Sequence, residues 1–219
     1  MAKHKISKKS TRIDMTAMCD VAFLLLSFFV MTATAKQPEP KPVDTPASTV
    51  IDKLPEDGVA TITVGDKQVF FTIPRASRRG TLERISKEKG VNFTEGEYKA
   101  FEGMEGFGVP LNQLKSLLSK SPAVRNAPGA QVGIPYDTIN DQLTDWVKQA
   151  REAHKSIYEA QLQEGKINAE EFGKKADLGI AIKGDAKEDF ITVKRIIDIL
   201  QEQKKNRFFL ITGLRNKDF

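Results

Sequence analysis

The stretch MTAMCDVAFLLLSFFVMTATA, Met15 to Ala35, constrains this chain more than any other part of it. About 21 helical residues cross the hydrocarbon of a bilayer, and the run is apolar enough to do so. Yet it carries an aspartate at position 20. A charged Asp near the centre of a membrane helix costs about 2.5–3.5 kcal/mol on insertion scales. Acids in such places usually face a protein interior or a water path and mark ion routes, so Asp20 is the first candidate functional residue. The structural alternative is an acid that stays protonated or is hydrated near the interface. Asp20 lies only about 9 Å along the axis from Asp14.

The flanks set the topology. Residues 1–12, MAKHKISKKSTR, carry Lys3, Lys5, Lys8, Lys9 and Arg12 and no acid, in a chain whose net charge is +5. A basic cluster can bind nucleic acid. Beside an apolar span it marks the cytoplasmic side, and this is the reading adopted: no nucleic-acid partner is expected. A cleaved signal peptide is the competing interpretation, since a basic start and the small residues Thr32 to Ala35 suit it. Asp20 inside the run and the length of the run count against it. A lipoprotein signal places its apolar run before the cysteine, whereas here most of it follows Cys19. The sequence therefore predicts a cytoplasmic tail over 1–12, an uncleaved transmembrane helix over 13–35, and the remainder on the opposite side of the membrane.

At about 100° per residue, Thr16, Asp20, Ser27 and Thr34 fall within roughly 40° of one another, and Met31 joins them. The remaining surface is assigned to Val21, Phe23, Leu24, Leu25, Leu26, Phe28, Phe29 and Val30. A lone anchor surrounded by lipid has no need of a polar stripe. Asp14, beside Arg12 on another face, is read as a structural residue that caps the helix or compensates the basic start.

The proline-rich, mixed-charge segment over 36–58 reads as an extended, poorly ordered linker. Fully polyproline-like, it spans up to roughly 70 Å. Residues 59–73 form an expected hairpin around Gly65-Asp66-Lys67. Residues 75–109, rich in Gly and charge, read as a loop or irregular insertion. Leu111, Leu114, Leu117 and Leu118 predict a helix that ends at Ser121-Pro122, followed by a loop over 123–135. Asp137 is expected to cap a long amphipathic helix to about Gly165, with Ile139, Leu143, Trp146, Val147, Ala150, Ile157 and Leu162 on its core face. The strand ADLGIAIKGD, a helix from Thr192 to Lys205 and the strand RFFLITGL complete an α+β unit. On pattern alone the last strand is either a sheet edge or a buried central strand.

Enzymatic signatures are missing. The glycines of EGMEGFGVP lack a preceding strand and meet Pro110 at once, so they do not read as a nucleotide loop. There is no serine elbow and no zinc-protease motif. One cysteine excludes an internal disulfide or a cysteine-rich zinc site. His4 reads as part of the basic tail and His154 as a helix-surface residue. No catalytic residue, cofactor or metal site is expected. A membrane-anchored periplasmic enzyme or sensor, with a helix that only anchors, is the alternative.

RIDMTAMCDVAFLLLSFFVMTA resembles the membrane segment of the ExbD/TolR family, through Asp14, Thr16, Met18, Asp20, Phe23, Leu25, Leu26 and Phe28, with Ala17 where the family has proline. Ile182-Lys183-Gly184-Asp185, Val193 to Leu200 and Phe208 to Thr212 are similar to the end of that family's soluble domain. The resemblance implies a single-pass protein of the bacterial inner membrane, N-terminus cytoplasmic, whose periplasmic α+β domain (59–219) is a small sheet with helices packed on it. An insertion at about 75–175 enlarges that domain. The implied role is a subunit of a proton-driven energy transducer, with Asp20 carrying the proton and Thr16, Ser27 and Thr34 supporting it. The implied partners are an ExbB/TolQ-like pentameric membrane subunit, a second copy of this chain, membrane lipid, and a TonB/TolA-like envelope-spanning protein that drives outer-membrane transport.

Overall fold

A computed structural model describes residues 15–33, 39–49, 54, 55 and 57–214. It divides into two units, Met1–Lys36 and Gln37–Phe219. The basic tail, Asp14 and Thr34 lie outside the described residues.

Among its described residues the first unit contains one helix, α1 (Met15–Thr32), none of whose residues is buried. Its length and apolar character suit a membrane span. A helix this apolar on nearly every side is at rest only in lipid or against other helices.

The second unit runs β1 (Ala47–Ser48), β2 (Val59–Gly65), β3 (Gln68–Thr72), α2 (Arg75–Lys89), α3 (Glu95–Glu102), α4 (Leu111–Leu118), α5 (Pro122–Arg125), α6 (Leu143–Gln163), α7 (Ala169–Lys175), β4 (Gly179–Gly184), α8 (Phe190–Glu202), β5 (Phe209–Leu210) and β6 (Gly213–Leu214). The main sheet has the order β3-β2-β4-β5, and β1 pairs with β6 apart from it. The β2–β3 hairpin is antiparallel, and β4 runs parallel to both β2 and β5. Asp66 and Lys67 take positive φ in the hairpin turn, the conformation that a tight two-residue connection needs. This is the small sheet with packed helices that the sequence predicts.

Strand register sorts the side chains. Ala60, Ile62 and Val64 of β2 align with Val69 and Phe71 of β3 and with Ile180 and Ile182 of β4. This face carries the core, which Leu82, Ile85, Phe101, Trp146, Ile196 and Leu200 complete from the helices. Phe107 stands at its centre, with its ring 4.6 Å from Trp146 and 5.3 Å from Phe101. Its backbone exchanges two hydrogen bonds with Phe71, at 2.8 and 3.1 Å, and Ile134 N–H donates to Val69 O. These contacts cover the outer edge of β3, which would otherwise be open to another chain. The glycines of EGMEGFGVP make this possible. A Cβ on Gly108 would lie 2.2 Å from the Phe70 ring, and one on Gly106 would lie 2.7 Å from Thr72 Oγ1.

Four expectations change. Residues 75–109 are not irregular, because they contain α2 and α3. The buried side chains of α2 are Ser77, Thr81, Leu82 and Ile85, a helical spacing in which half the members are small and polar. The long helix starts at Leu143 rather than beside Asp137, and Ile139 is fully exposed. Asp141 performs the capping instead: its Oδ1 accepts from Thr144 N–H at 3.0 Å and its Oδ2 from the Thr144 hydroxyl at 2.6 Å. The expected loop over 123–135 opens with the single turn α5. The strand RFFLITGL splits, with β5 following β4 and β6 leaving to pair with β1.

The linker also differs from a free spacer in its described part. Residues 39–49 form a strap on the second unit. Glu39 pairs with Lys183 Nζ at 2.7 Å, and Lys41 pairs with Asp66. Lys41 holds the Asp66 carboxyl below its ordinary pKa, chiefly by its hydrogen bond. Ala186 N–H donates to Asp44 O at 2.7 Å, and Gly213 N–H donates to Pro46 O at 2.9 Å. Lys183 and Gly65 lie on the sheet face opposite the core, as the register through Thr63 shows. A Cβ on Gly65 would meet Val43 Cγ1 at 2.8 Å.

Replacing Gly108 with alanine should destabilise the protein by about 1–3 kcal/mol, because the new Cβ overpacks the buried Phe70 ring. Gly173→Ala in α7 has open space and should be neutral or slightly stabilising. Urea denaturation of the detergent-solubilised chain distinguishes the two.

Candidate functional site

Asp20 sits in the second turn of α1 and is exposed. It has no hydrogen-bond or ion-pair partner among the described residues. Thr16 lies one turn before it on the same side, at the i−4 spacing where side chains meet. Ser27 is about 10.5 Å further along the axis, too far for a direct hydrogen bond. The Ser27 hydroxyl donates instead to Leu24 O at 2.9 Å, and the Thr32 hydroxyl donates to Phe28 O at 2.7 Å. Such bonds satisfy a hydroxyl within its own helix, so neither residue needs a polar neighbour in lipid. Phe23, assigned above to the remaining surface, falls within about 20° of Thr16 and so lies on the stripe. The arc is a Thr16–Asp20 pair, then an aromatic ring, then Ser27. Asp20 alone carries ionisable chemistry along this helix, apart from the thiol of Cys19.

The open edge of the main sheet is the second candidate surface of the chain. In the sheet order, β5 is the terminal strand, so the edge alternative for RFFLITGL holds. Only Phe209 and Leu210 pair with β4, at Ala181 and Ile182, and Leu210 is 56% exposed. No strand occupies the other side of β5 among the described residues. Backbone groups on such an edge are free to accept an added strand.

A third constellation has the outline of catalytic chemistry. Ser77 Oγ and His154 Nδ1 are 3.0 Å apart. His154 is buried rather than on the helix surface, and burial lowers its pKa from the ordinary value. Its Nε2 faces the carbonyl of Lys175 at 3.0 Å, which can only accept. The ring is therefore neutral with its hydrogen on Nε2, and Nδ1 accepts the Ser77 hydroxyl proton. A nucleophile needs access, but Ser77 is 0% exposed. A base also needs an orienting acid, and here a backbone carbonyl occupies that place. The pair ties α2 to α6 and to the end of α7; it is an internal lock. Helical spacing could have found it, since His154 follows Val147 and Ala150 on the apolar face of α6.

Among the described residues no group of three or more His, Cys, Asp or Glu side chains is placed to hold a metal. A family model described as "Biopolymer transport protein ExbD/TolR" matches residues 7–213. No curated protein and no solved structure gives a match.

The buried histidine makes stability depend on pH. In the unfolded chain His154 takes up a proton as the pH falls through about 6.5, whereas the folded ring resists until lower pH. Its contribution is complete above about 6.5 and declines below that. The melting temperature should fall between pH 7.5 and 5, and His154→Gln should flatten the slope. Ser77→Ala leaves Nδ1 unpaired in the interior and should cost about 1–3 kcal/mol at pH 7.5, measured by urea denaturation.

Proposed function

The chain belongs to the ExbD/TolR family of biopolymer transport proteins, and on that premise we propose that it is the subunit through which an inner-membrane motor couples proton flow to work on the cell envelope. The observation that carries the reading is Asp20, the one carboxylate on a predominantly apolar span none of whose residues is buried. A carboxylic acid in a low-dielectric medium strongly prefers its neutral form, while its charged form seeks water or hydroxyl groups. Proton uptake and release at Asp20 would thus change which environment suits the helix. Each charge that crosses a 100 mV potential is worth about 2.3 kcal/mol, enough to bias such a two-state element. Thr16 is the neighbour best placed to support the acid. Ser27 could reach it only through water or a partner helix.

In this reading α1 and a second copy lie inside an ExbB/TolQ-like pentamer, with residues 1–12 in the cytoplasm and the domain from 59 onward in the periplasm. Residues 36–58 join the two. The domain passes force to a TonB/TolA-like protein that serves outer-membrane transport. The open side of β5 is the contact for a second copy or for a client strand. The role is mechanical and non-enzymatic.

Asp20→Asn keeps the shape and hydrogen-bonding capacity of the side chain but cannot ionise. It should assemble normally and abolish energy-dependent function. Asp20→Glu should keep a small fraction of activity. Proton conductance of the purified complex in liposomes, with activity in cells, is the measurement. Full activity and full proton coupling in Asp20→Asn would reduce α1 to an anchor. Topology is checked separately: a reporter that works only outside the cytoplasm, fused after Phe219, should be active. Single cysteines along 207–214 in a Cys19→Ser background should cross-link between chains in membranes. A folded, abundant protein with no cross-links at any position would count against pairing through β5.

A further inference from the structure

We propose that one end of the second unit rests on the bilayer that α1 spans, with Ile139, Phe190 and Ile191 set into the interfacial layer of the lipid. The inference rests on α1 being a membrane span and not on proton transfer at Asp20.

Exposure singles these residues out. Among the described residues of the second unit, the most exposed large apolar side chains are Ile139, Ile191 and Phe190, at 100%, 79% and 72%, and no other exceeds 56%. Single exposed apolar residues are ordinary on a protein surface, whereas a group of them marks a contact. The next question is whether the three form a group.

They share one end of the fold. Strands β2 and β4 run parallel, with Val64 beside Gly184 at their C-terminal ends. The segment after β4 leads to Phe190 and Ile191 in the first turn of α8. On the way, Glu188 Oε2 accepts from the N–H of Lys67, in the hairpin turn, at 3.1 Å. The Tyr136 hydroxyl donates to Lys67 O at 3.4 Å, which brings the loop carrying Ile139 to the same end. Arg195, one turn beyond Ile191 on the same face of α8, holds both roots of that loop. It donates to Tyr136 O at 3.4 Å and to Asp141 Oδ2 at 3.5 Å. Lys194 stands one turn beyond Phe190 and is exposed, so its stem can lie along lipid while its ammonium stays in water. The charges at this end are mixed: Lys67 pairs with Asp189 at 3.9 Å, Arg195 with Asp141, and Lys41 with Asp66. Attraction to anionic lipid therefore contributes little, and apolar insertion carries the contact. The three side chains project from a loop and a helix start, and a soft interfacial layer takes them without a matching groove.

The chain itself selects lipid as the occupant. Lys41, whose ammonium sits on Asp66 in the hairpin turn, is eight residue steps from Ala33, which directly follows α1. The covalent chain permits at most about 29 Å between the two. A tether this short makes contact with the bilayer an intramolecular event, at an effective concentration on the order of millimolar. Weak insertion is then sufficient. Moving one such side chain wholly out of water favours the bound form by about 10- to 100-fold, and three are present.

The test uses the full chain in phosphatidylcholine nanodiscs, with and without a spin label near the headgroup end of the acyl chains. The native Trp146 is buried and gives a constant background. The emission added by Phe190→Trp should fall at least twofold with labelled lipid, and by the same factor at high salt. The emission added by Val124→Trp, on α5, should not change. Ile139→Ser with Ile191→Ser, combined with Phe190→Trp, should weaken the quenching at least twofold. The melting temperature should stay the same, since both isoleucines lie outside the core. Equal responses of Phe190→Trp and Val124→Trp, or quenching that the serines leave intact, would overturn the proposal. Phe190→Trp emission shielded from an aqueous quencher yet untouched by labelled lipid would mean that another protein surface covers this end, and would overturn it as well. Phe29→Trp, within α1, separates the two levels of the argument. Quenching there without quenching in Phe190→Trp sinks the docking alone, whereas no quenching in Phe29→Trp removes the membrane span on which both readings stand. Asp20→Asn should leave all of these signals unchanged.

Discussion

The parallel pairing of β2 with β4 is the contact on which the soluble unit depends. It aligns Val59 with Gly179 and continues without interruption to Val64 and Gly184. The two strands are 120 residues apart in the chain, counting from 59 to 179, and α2 to α7 lie in the loop that this pairing closes. Long loops cost little more to close than moderate ones, since the entropy grows with the logarithm of length. The helices between the strands must still present a matching apolar surface. They do so through Leu82, Ile85, Phe101, Leu114, Trp146 and Val147, all packed in one core with Ile62, Phe71 and Ile182. Non-local pairings of this kind form slowly, so the helices of the insertion are expected to fold with the sheet and not after it.

Edges follow from that arrangement. A sheet of order β3-β2-β4-β5 has two ends, and the chain treats them differently. The β3 end is closed by Phe107 and Ile134, whose backbones bond to Phe71 and Val69. The β5 end is short and open, and beyond it the last strand is occupied by the chain's own residues 47 and 48. An unguarded pair of edges invites aggregation, and here one of the two is guarded. The glycines at 106 and 108 belong to this device: only a residue without Cβ lets the covering segment approach Thr72 and Phe70 so closely.

The helix obeys a different solvent. In water α1 would be the least stable part of the molecule, because none of its apolar side chains is sheltered. In lipid the same side chains are at ease, and the cost falls on Asp20. The hydroxyls of Ser27 and Thr32 do not share that cost, being satisfied by carbonyls of their own helix. Among the residues Met15–Thr32 the ionisable groups are that carboxylate and the thiol of Cys19.

Local information fixed several features without help from the fold. The span, its acid, the hairpin turn, the α4 helix and the strand–helix–strand end are all legible because each has its own periodicity or turn chemistry. Helix α2 was hidden because its inner face uses Ser77 and Thr81, which carry no hydrophobic signal, and packs closely enough on α6 that Gly80 faces Ala153. The helix start at Leu143 was misplaced because Asp137 and Asp141 are equally good caps by type; the bridge between Tyr136 and Asp141 decides between them. His154 became an internal group only when α2 supplied a hydroxyl and the end of α7 a carbonyl. The strap is the clearest case. Its prolines and charges read as a spacer, and nothing local distinguishes Glu39, Lys41 and Asp44 from linker residues. Their partners at 183, 66 and 186 lie far away in the chain, and only the closed sheet brings them within reach.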